Sequence, residues 1–446
     1  MQDLTEGSIA RHLTQLAAPI AIGMVFQTLY YLVDVYFVAQ LGEAALAGVS
    51  AAGTVQFLVM AVTQVLGVGT MALIAQASGR KDQQDANLIF NQSLVLAVCC
   101  AAATLTIGYS LTSWYMTTLG ADAASVDAGS TYLHWFLPGM GLQFALISMG
   151  SALRGTGVVK PTIIVQVATV VLNAVLAPIM IAGWLTNRPF GVLGAGLSSS
   201  ISVGVGVVLL FAYFVRSERY VTFAAKLLAP RAEAWRRILR VGLPPGGEFA
   251  LMFVYMGVVY WAIRGFGAPA QAAYGVGSRV MQAIFLPAMA IAFAAAPLAG
   301  QNMGAAKHDR VRETFRTAAF GGSALMVVLT LLCQVRPQWL IGGFTDDPVV
   351  IALGADFLRI ISWNFVAVGL VFTCSSMFQA LGNTLPSLLS SASRLLTFAL
   401  PTIWLSTRAG FQLEHLWYLS VAATTLQGLT SWWLLRKELR LRLTPA

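Results

Sequence analysis

The chain has 446 residues, 27 of them basic and 18 acidic. Only 10% are charged, against about 25% in a soluble domain, while 57% are apolar and the mean hydropathy is +0.74. Most of this surface must face lipid, so composition excludes a water-soluble fold. At about 20 residues per spanning helix, the length accommodates roughly twelve spans with short connections and no large enzymatic ectodomain.

Apolar runs of membrane length predict helices near 14–38, 48–73, 89–112, 131–153, 162–183 and 191–214. A second set follows near 241–264, 275–298, 315–335, 355–378, 387–406 and 412–434. The first apolar segment exceeds a signal-peptide core and lacks a small-residue cleavage site after it, so it reads as the first span. Twelve spans put both termini on one side. That side carries 20 of the 27 Lys and Arg residues, seven of them between 216 and 240, and the other side carries six. By the positive-inside rule both termini face the cytoplasm.

The net charge of +9 is spread over these loops and not gathered on one face, so it does not mark nucleic-acid recognition. Within the most basic stretch, residues 234–240 read as an amphipathic segment at the headgroups or, more simply, as topology anchoring plus a linker. Cys99, Cys100, Cys333 and Cys374 all lie in apolar runs without CxxC or Cys/His spacing, which predicts small buried hydrophobes and no disulfide framework. The four histidines are scattered, and no metal or other cofactor is expected.

One shift aligns the chain with itself. Pro19 and Pro244, Gly42 and Gly267, Gln76 and Gln301, and Gly79 and Gly304 are each separated by 225 residues. The same interval relates Tyr30 to Tyr255, Trp114 to Trp339, Gly157 to Gly382 and Pro161 to Pro386. A constant offset over so long a stretch, landing on Gly and Pro at helix ends, indicates a duplication. The expected organisation is an N-terminal six-helix bundle at 1–214, a cytoplasmic basic linker at 215–240 and a C-terminal six-helix bundle at 241–446. Halves with an even number of spans share one orientation, related by a pseudo-twofold axis along the membrane normal, with a cleft between the bundles. That arrangement suits alternating access, hence a transporter and not a static pore.

Loop motifs narrow the class. Ile74-Ala75-Gln76-Ala77-Ser78-Gly79-Arg80-Lys81-Asp82 is echoed by Gly300-Gln301-Asn302-Met303-Gly304-Ala305-Ala306-Lys307. Ser151-Ala152-Leu153-Arg154-Gly155-Thr156-Gly157-Val158-Val159-Lys160-Pro161 has its partner in Ala380-Leu381-Gly382-Asn383-Thr384-Leu385-Pro386. Together with Leu32-Val33-Asp34, these resemble the multidrug and toxic compound extrusion (MATE) family over nearly the whole chain. The resemblance implies an all-α, V-shaped exporter of twelve transmembrane helices in two pseudo-symmetric bundles. Its expected partners are small organic cations or other amphiphiles and the lipid bilayer of a bacterial-type plasma membrane; the coupling ion is H⁺ or Na⁺, and a monomer is expected.

Three ionisable residues fall well inside predicted spans: Asp34, Glu248 and Arg394. An intramembrane charge costs at least about 2.5–3.5 kcal/mol, so each needs a partner, a water-filled cavity or a proton. Asp34 has Tyr30 one helical turn away on the same face. Removal from water penalises the carboxylate anion, which makes Asp34 a candidate proton carrier; the alternative is a structural carboxylate capped by a neighbouring hydroxyl. By resemblance, Asp34 matches the ion-coupling aspartate of the family's first helix. Asn173 and Ser199 match positions of its fifth- and sixth-helix motifs, where Ser199 stands for a threonine. Ala177 departs from the pattern, since a carboxylate is frequent there. Losing a charged oxygen weakens a Na⁺ site, whereas a proton needs only one tuned carboxyl, so the departure favours H⁺.

Glu248, four residues beyond Pro244, resembles the seventh-helix glutamate of the Na⁺-coupled branch, but the tenth-helix acid of that branch is missing from residues 363–369. Its expected role is a second proton site or an attraction point for cationic cargo, with Arg394 as a candidate ion-pair partner that would make both structural. For cargo, the resemblance implies a cleft lined by the first, second, seventh and eighth helices. Candidates there are Phe26, Gln27, Tyr30, Tyr31, Gln56, Gln64, Met252, Tyr255, Met281 and Gln282, because aromatic faces attract cations and Met adapts to varied shapes. Pro19, Pro244, Pro287 and Pro297 are candidate bending points. The rival reading is a lipid-linked glycan flippase of the same exporter superfamily, which would call for several arginines in the cleft. An intramembrane enzyme finds no paired carboxylates, Ser/His dyad or ligand spacing to support it.

Overall fold

The structure, a computed structural model, describes residues 1–119, 122–185, 187–408 and 410–443, and at Tyr31 the backbone only. The described residues are all-helical. The first half holds α1 (Ile9–Ala39), α2 (Glu43–Gly79), α3 (Gln83–Leu119), α4 (Ala123–Gly155), α5 (Lys160–Ile181) and α6 (Gly191–Arg216). The second holds α7 (Ala232–Ile263), α8 (Ala268–Gly304), α9 (His308–Val335), the short α10 (Pro337–Gly342), α11 (Pro348–Ile361), α12 (Phe365–Leu381), α13 (Leu385–Ser406) and α14 (Leu413–Leu443). Among the described residues, 11 helical segments are long and apolar enough to cross a membrane, with α11 and α12 forming one of them. The remaining expected position falls to α14, which is 31 residues long but more polar than the others.

The duplication extends to backbone detail. Both α2 and α8 have 37 residues and both α5 and α13 have 22, each pair offset by the same 225 positions. Asp122 caps α4 by accepting a hydrogen bond from the Ser125 N–H at 2.7 Å, and Asp347 caps α11 by accepting one from the Val349 N–H at 2.8 Å. The backbone bond to Ser125 holds the Asp122 carboxyl below the usual carboxylate range. The turns before α2 and α8 use Gly42 and Gly267 at φ of 107° and 86°, a region that side chains with a Cβ rarely adopt.

The chain forms two compact units, one comprising Met1–Leu4 with Ile22–Gly246, the other Thr5–Ala21 with Gly247–Ala446. The boundaries fall inside α1 and α7, three residues beyond Pro19 and Pro244, so the break repeats at the duplication interval. A proline within a helix removes a backbone hydrogen bond and loosens that turn.

In the first unit, glycine brings backbones together, the packing that serves where lipid offers no hydrophobic drive between helices. A Cβ at Gly48 would lie 2.4 Å from the Ser125 carbonyl oxygen, and one at Gly242 only 1.9 Å from that of Val65. Residues 234–240, read either as a headgroup segment or as an anchoring linker, are continuous with α7: Ala234 and Ile238 are buried, and Arg237 grips Asp85 of α3 with two bonds of 2.7 and 2.8 Å. Ahead of it, the linker is held by side chains of α3. Asn91 donates to the Thr222 carbonyl at 2.9 Å, and Gln92 donates to Leu227 and Ala229 carbonyls at 2.6 and 2.8 Å while accepting from the Arg231 N–H at 2.9 Å.

In the second unit, the span expected to run unbroken over 355–378 is interrupted by a 3₁₀ turn at Ser362–Asn364. Polar side chains of α9 stabilise the interruption: Gln334 donates to the Ser362 hydroxyl at 2.8 Å and Thr330 to the Ser362 carbonyl at 3.0 Å. The expectation of four buried cysteines also needs correction. Cys333 and Cys374 are buried and Cys100 is half-buried, but Cys99 is exposed because it lies on the outer face of α3.

Candidate functional site

Asp34 sits in the last third of α1, where the helix belongs to the first unit, and is only 9% exposed. Two helices supply its partners. From α5, the Asn173 Nδ2 donates to Oδ1 at 3.4 Å; from α6, the Ser199 hydroxyl donates to Oδ2 at 3.3 Å. Both partners are wholly buried. Gly194 and Gly196, one turn before Ser199, let α6 approach closely: a Cβ at Gly196 would lie 2.7 Å from the Tyr132 carbonyl oxygen. Tyr30, one turn back along α1, is placed against both Asp34 and Ser199. Its spacing from Asp34 puts the phenol over the carboxyl.

No Lys, Arg or His pairs with Asp34 among the described residues. Two long bonds from neutral donors stabilise an anion weakly compared with a charged partner. The Asn173 Oδ1 is buried without a partner, so the carboxamide has an acceptor to offer a protonated carboxyl once the amide turns over. Ala177, one turn along α5 from Asn173, is fully buried and carries a methyl group in place of a side chain with oxygen. The cluster thus offers one carboxylate, the hydroxyls of Ser199 and Tyr30, and one amide oxygen. Among the described residues no group of three or more His, Cys, Asp or Glu could hold a metal ion.

Of the other cargo candidates in the first unit, Gln56 donates to Gln143 at 2.9 Å, Gln27 accepts from Gln166 at 3.5 Å, and Phe26 and Gln64 are half-buried. The side chain of Tyr31 lies outside the described residues.

The second unit carries a different set. One Glu248 oxygen accepts from the Ser391 hydroxyl of α13 at 3.5 Å; the other is buried without a partner. Ser387 also lies beside this carboxyl. Gln427 of α14 donates to Ser391 at 3.3 Å. Arg394 does not pair with Glu248, the ion-pair alternative that the sequence left open. Its guanidinium instead stacks over the Tyr255 ring at 4.2 Å, because Ser391 and not Arg394 presents its side chain to the acid. The Tyr255 hydroxyl shares a 2.7 Å hydrogen bond with Ser420, and its ring packs on Phe398 at 4.6 Å. Met252 and Gln282 are exposed and Met281 is half-buried.

Sequence reading missed Ser391, Gln427 and Ser420. The first is findable, since the duplication interval maps it onto Gln166, whose oxygen would lie 2.7 Å from a Cβ at Gly23, the counterpart of Glu248. The polar group comes from α5 in one unit and from α7 in the other. Ser420 is harder to find, because the connection before α14 is shorter than the one before α6 and breaks the constant interval.

Fold and site define the class: a duplicated, all-helical membrane transporter. The MatE family model matches residues 19–179 and again 244–405, its two matches starting at Pro19 and Pro244, and the chain belongs to this family, as the loop motifs indicated. The chain is 25% identical over 387 residues to a probable multidrug resistance protein, YpnP, of Bacillus subtilis, covering 86% of this chain and 85% of that one. It is 23% identical over 370 residues to the multidrug export protein MepA of Staphylococcus aureus, covering 82% and 80%. In fold it matches an outward-facing multidrug resistance MATE family transporter with a TM-score of 0.91 and 24% identity, over 99% of this chain and 98% of that one.

Proposed function

We propose that the protein is a secondary active efflux antiporter that exports organic cations or amphiphiles as protons enter, with Asp34 as the proton carrier. The single observation that carries this reading is the state of Asp34: a carboxyl inside a spanning helix, hydrogen-bonded by the neutral donors Asn173 and Ser199 and, among the described residues, paired with no cation. A buried group in such surroundings is stable uncharged and becomes an anion only at a cost. Coupling follows if cargo is favoured when Asp34 is ionised and disfavoured when it is protonated. Tyr30, on the same face of α1, links the carboxyl to the helix surface on which cargo candidates lie. The relatives of B. subtilis and S. aureus, described as multidrug resistance and multidrug export proteins, support the cargo class.

Proton coupling is favoured over Na⁺ because the cluster has few oxygens. A sodium ion wants several, and Ala177 carries none. Ion-coupling roles for Asn173 and Ser199 are to orient and hydrogen-bond the carboxyl, and Glu248 serves as a second carboxyl in the other unit. Both termini face the cytoplasm, on the charge distribution. With one positive charge out and one in, exchange is electroneutral and responds to ΔpH and not to membrane potential.

The test uses proteoliposomes loaded with a pH-sensitive dye and challenged with a cationic compound such as ethidium. In sodium-free medium the account expects cargo movement to drive an opposite proton movement. Proton movement that appears only when Na⁺ is present, or none with either ion, overturns it.

A further inference from the structure

The two units carry opposite charge on equivalent surfaces. The first turns of α3 and α9 are related by the 225-residue interval, Gln83 corresponding to His308. Over residues 82–91 the first unit has two acids, Asp82 and Asp85, and no Lys or Arg. Over residues 307–316 the second has Lys307, Arg310, Arg312 and Arg316 against Asp309 and Glu313. With His308 neutral, the net charge goes from −2 to +2. In the first unit this surface is spent on the linker: Gln83 donates to the Tyr220 carbonyl at 2.9 Å, Asn87 accepts from the Thr222 N–H at 2.6 Å, and Asp85 takes Arg237. In the second unit the equivalent His308, Arg310 and Arg312 line a cavity of about 560 Å³ together with Lys307, Asp309 and Leu443, a volume that suits a small ligand or headgroup.

Neutral acceptors hold these cations in place without cancelling their charge. Lys307 donates to the Thr5 carbonyl at 3.0 Å, Arg310 to the Gly7 carbonyl and the Asn302 amide oxygen at 2.9 Å each, and Arg312 to the Leu443 carbonyl at 3.3 Å. The acids paired with them stand in solvent: Asp309, 98% exposed, lies 3.2 Å from Arg312, and Glu6, 82% exposed, lies 4.0 Å from Lys307. Exposed pairs of this kind are weak, so either cation can turn to another anion. The same helix then enters the membrane. α9 is long and apolar enough to cross it, and the exposed Phe320, Val328, Leu331 and Val335 share one face. Arg316 and Arg312, both exposed, precede Phe320 by one and two turns, about 6 and 12 Å along the axis. Headgroups occupy about 5–8 Å beyond the hydrocarbon core, within reach of both side chains.

We propose that this cavity binds an anionic phospholipid from the leaflet on the side of the termini, its phosphate held by Lys307 and Arg312 and its acyl chains lying along the Phe320 face. The planar fork of Arg312 matches a phosphate with two parallel N–H donors, and Lys307 adds a point charge. Basic pockets beside spanning helices recognise headgroups by this chemistry, and the net positive charge selects an anionic headgroup over a zwitterionic one. The first unit covers the surface with its own linker; the second covers it with lipid.

The test is native mass spectrometry of the purified, delipidated full-length chain titrated with phosphatidylglycerol or with phosphatidylcholine of the same acyl chains. The wild type is expected to bind phosphatidylglycerol about tenfold more tightly. Replacing both cations, Lys307→Gln with Arg312→Gln, should bring the two lipids within about twofold and leave phosphatidylcholine binding unchanged. Arg436→Gln removes a cation that sits over Trp432 near the same end of α14 but outside the cavity, and should keep the preference. A wild type without preference, a double variant that keeps it, or an equal loss in Arg436→Gln overturns the proposal. Glycerophosphoglycerol, the headgroup without chains, should not displace the lipid at about hundredfold excess, because it lacks the apolar contact; displacement would make this a site for free phosphate esters and overturn the lipid assignment. Should the double variant not remain monodisperse, photoreactive phosphatidylglycerol on the wild type decides: it should label the peptide spanning residues 307–320, and labelling confined to other peptides overturns the proposal.

Discussion

Replacing Asp34 with Asn separates the proton from everything else the side chain does. The shape is retained. Asp34 accepts two bonds, at 3.4 and 3.3 Å, each contributing about 1 kcal/mol. An Asn at this position can still accept from Ser199, and its NH₂ can donate to the Asn173 Oδ1, which has no partner in the wild type. Folding stability should therefore change by less than about 1 kcal/mol, a shift in unfolding temperature under about 3 °C. Transport should not survive. One pH unit corresponds to 1.36 kcal/mol, so one-for-one exchange sustains about a tenfold cargo gradient per unit of ΔpH, which an untitratable amide reduces to none. The assay is dye efflux from vesicles under an imposed pH gradient, with thermal unfolding of the same preparation. A well-folded variant that still concentrates cargo would refute the reasoning, as would a variant that fails because it unfolds.

Further outcomes follow from the packing. Gly242→Ala places a methyl 1.9 Å from the Val65 carbonyl oxygen; α7 must move away from α2, and a loss of more than about 2 kcal/mol is expected in thermal unfolding, with an unchanged midpoint contradicting the crossing. Gln92→Ala frees two linker carbonyls and the Arg231 N–H, costing about 2–4 kcal/mol locally; hydrogen exchange over residues 222–231 should rise at least tenfold. The Asp122 cap is present above the ordinary carboxylate range and is lost as pH falls through its depressed value. Exchange at the first turn of α4 should therefore accelerate at strongly acid pH and, in Asp122→Asn, lose most of that pH dependence.

Much of this architecture is written locally. Gly42 and Gly267 occupy backbone conformations that exclude most side chains, and Asp122 and Asp347 cap equivalent helices. Such residues are legible because one residue type answers one local need. Asp34 was legible for a related reason, since a carboxyl in an apolar helix is too costly to be incidental. What escaped notice depends on tertiary neighbours. The linker is held by Asn91 and Gln92 from a helix more than 100 residues earlier, and the break at Ser362–Asn364 depends on α9. Arg394 and Glu248 look like a pair on paper because opposite charges in lipid seek one another; the rotation of α13 gives the acid to Ser391 and the guanidinium to Tyr255.

The most direct measurement is proton release on cargo binding. Purified protein in weakly buffered solution near neutral pH is mixed with ethidium while pH is recorded, for the wild type and for Asp34→Asn. If Asp34 exchanges its proton for cargo, the wild type acidifies the medium in proportion to the cargo bound and Asp34→Asn does not. Binding without acidification in the wild type at any pH between 5 and 9, the interval about a neutral set point over which a proton carrier must titrate, would contradict the account. So would equal release from both proteins.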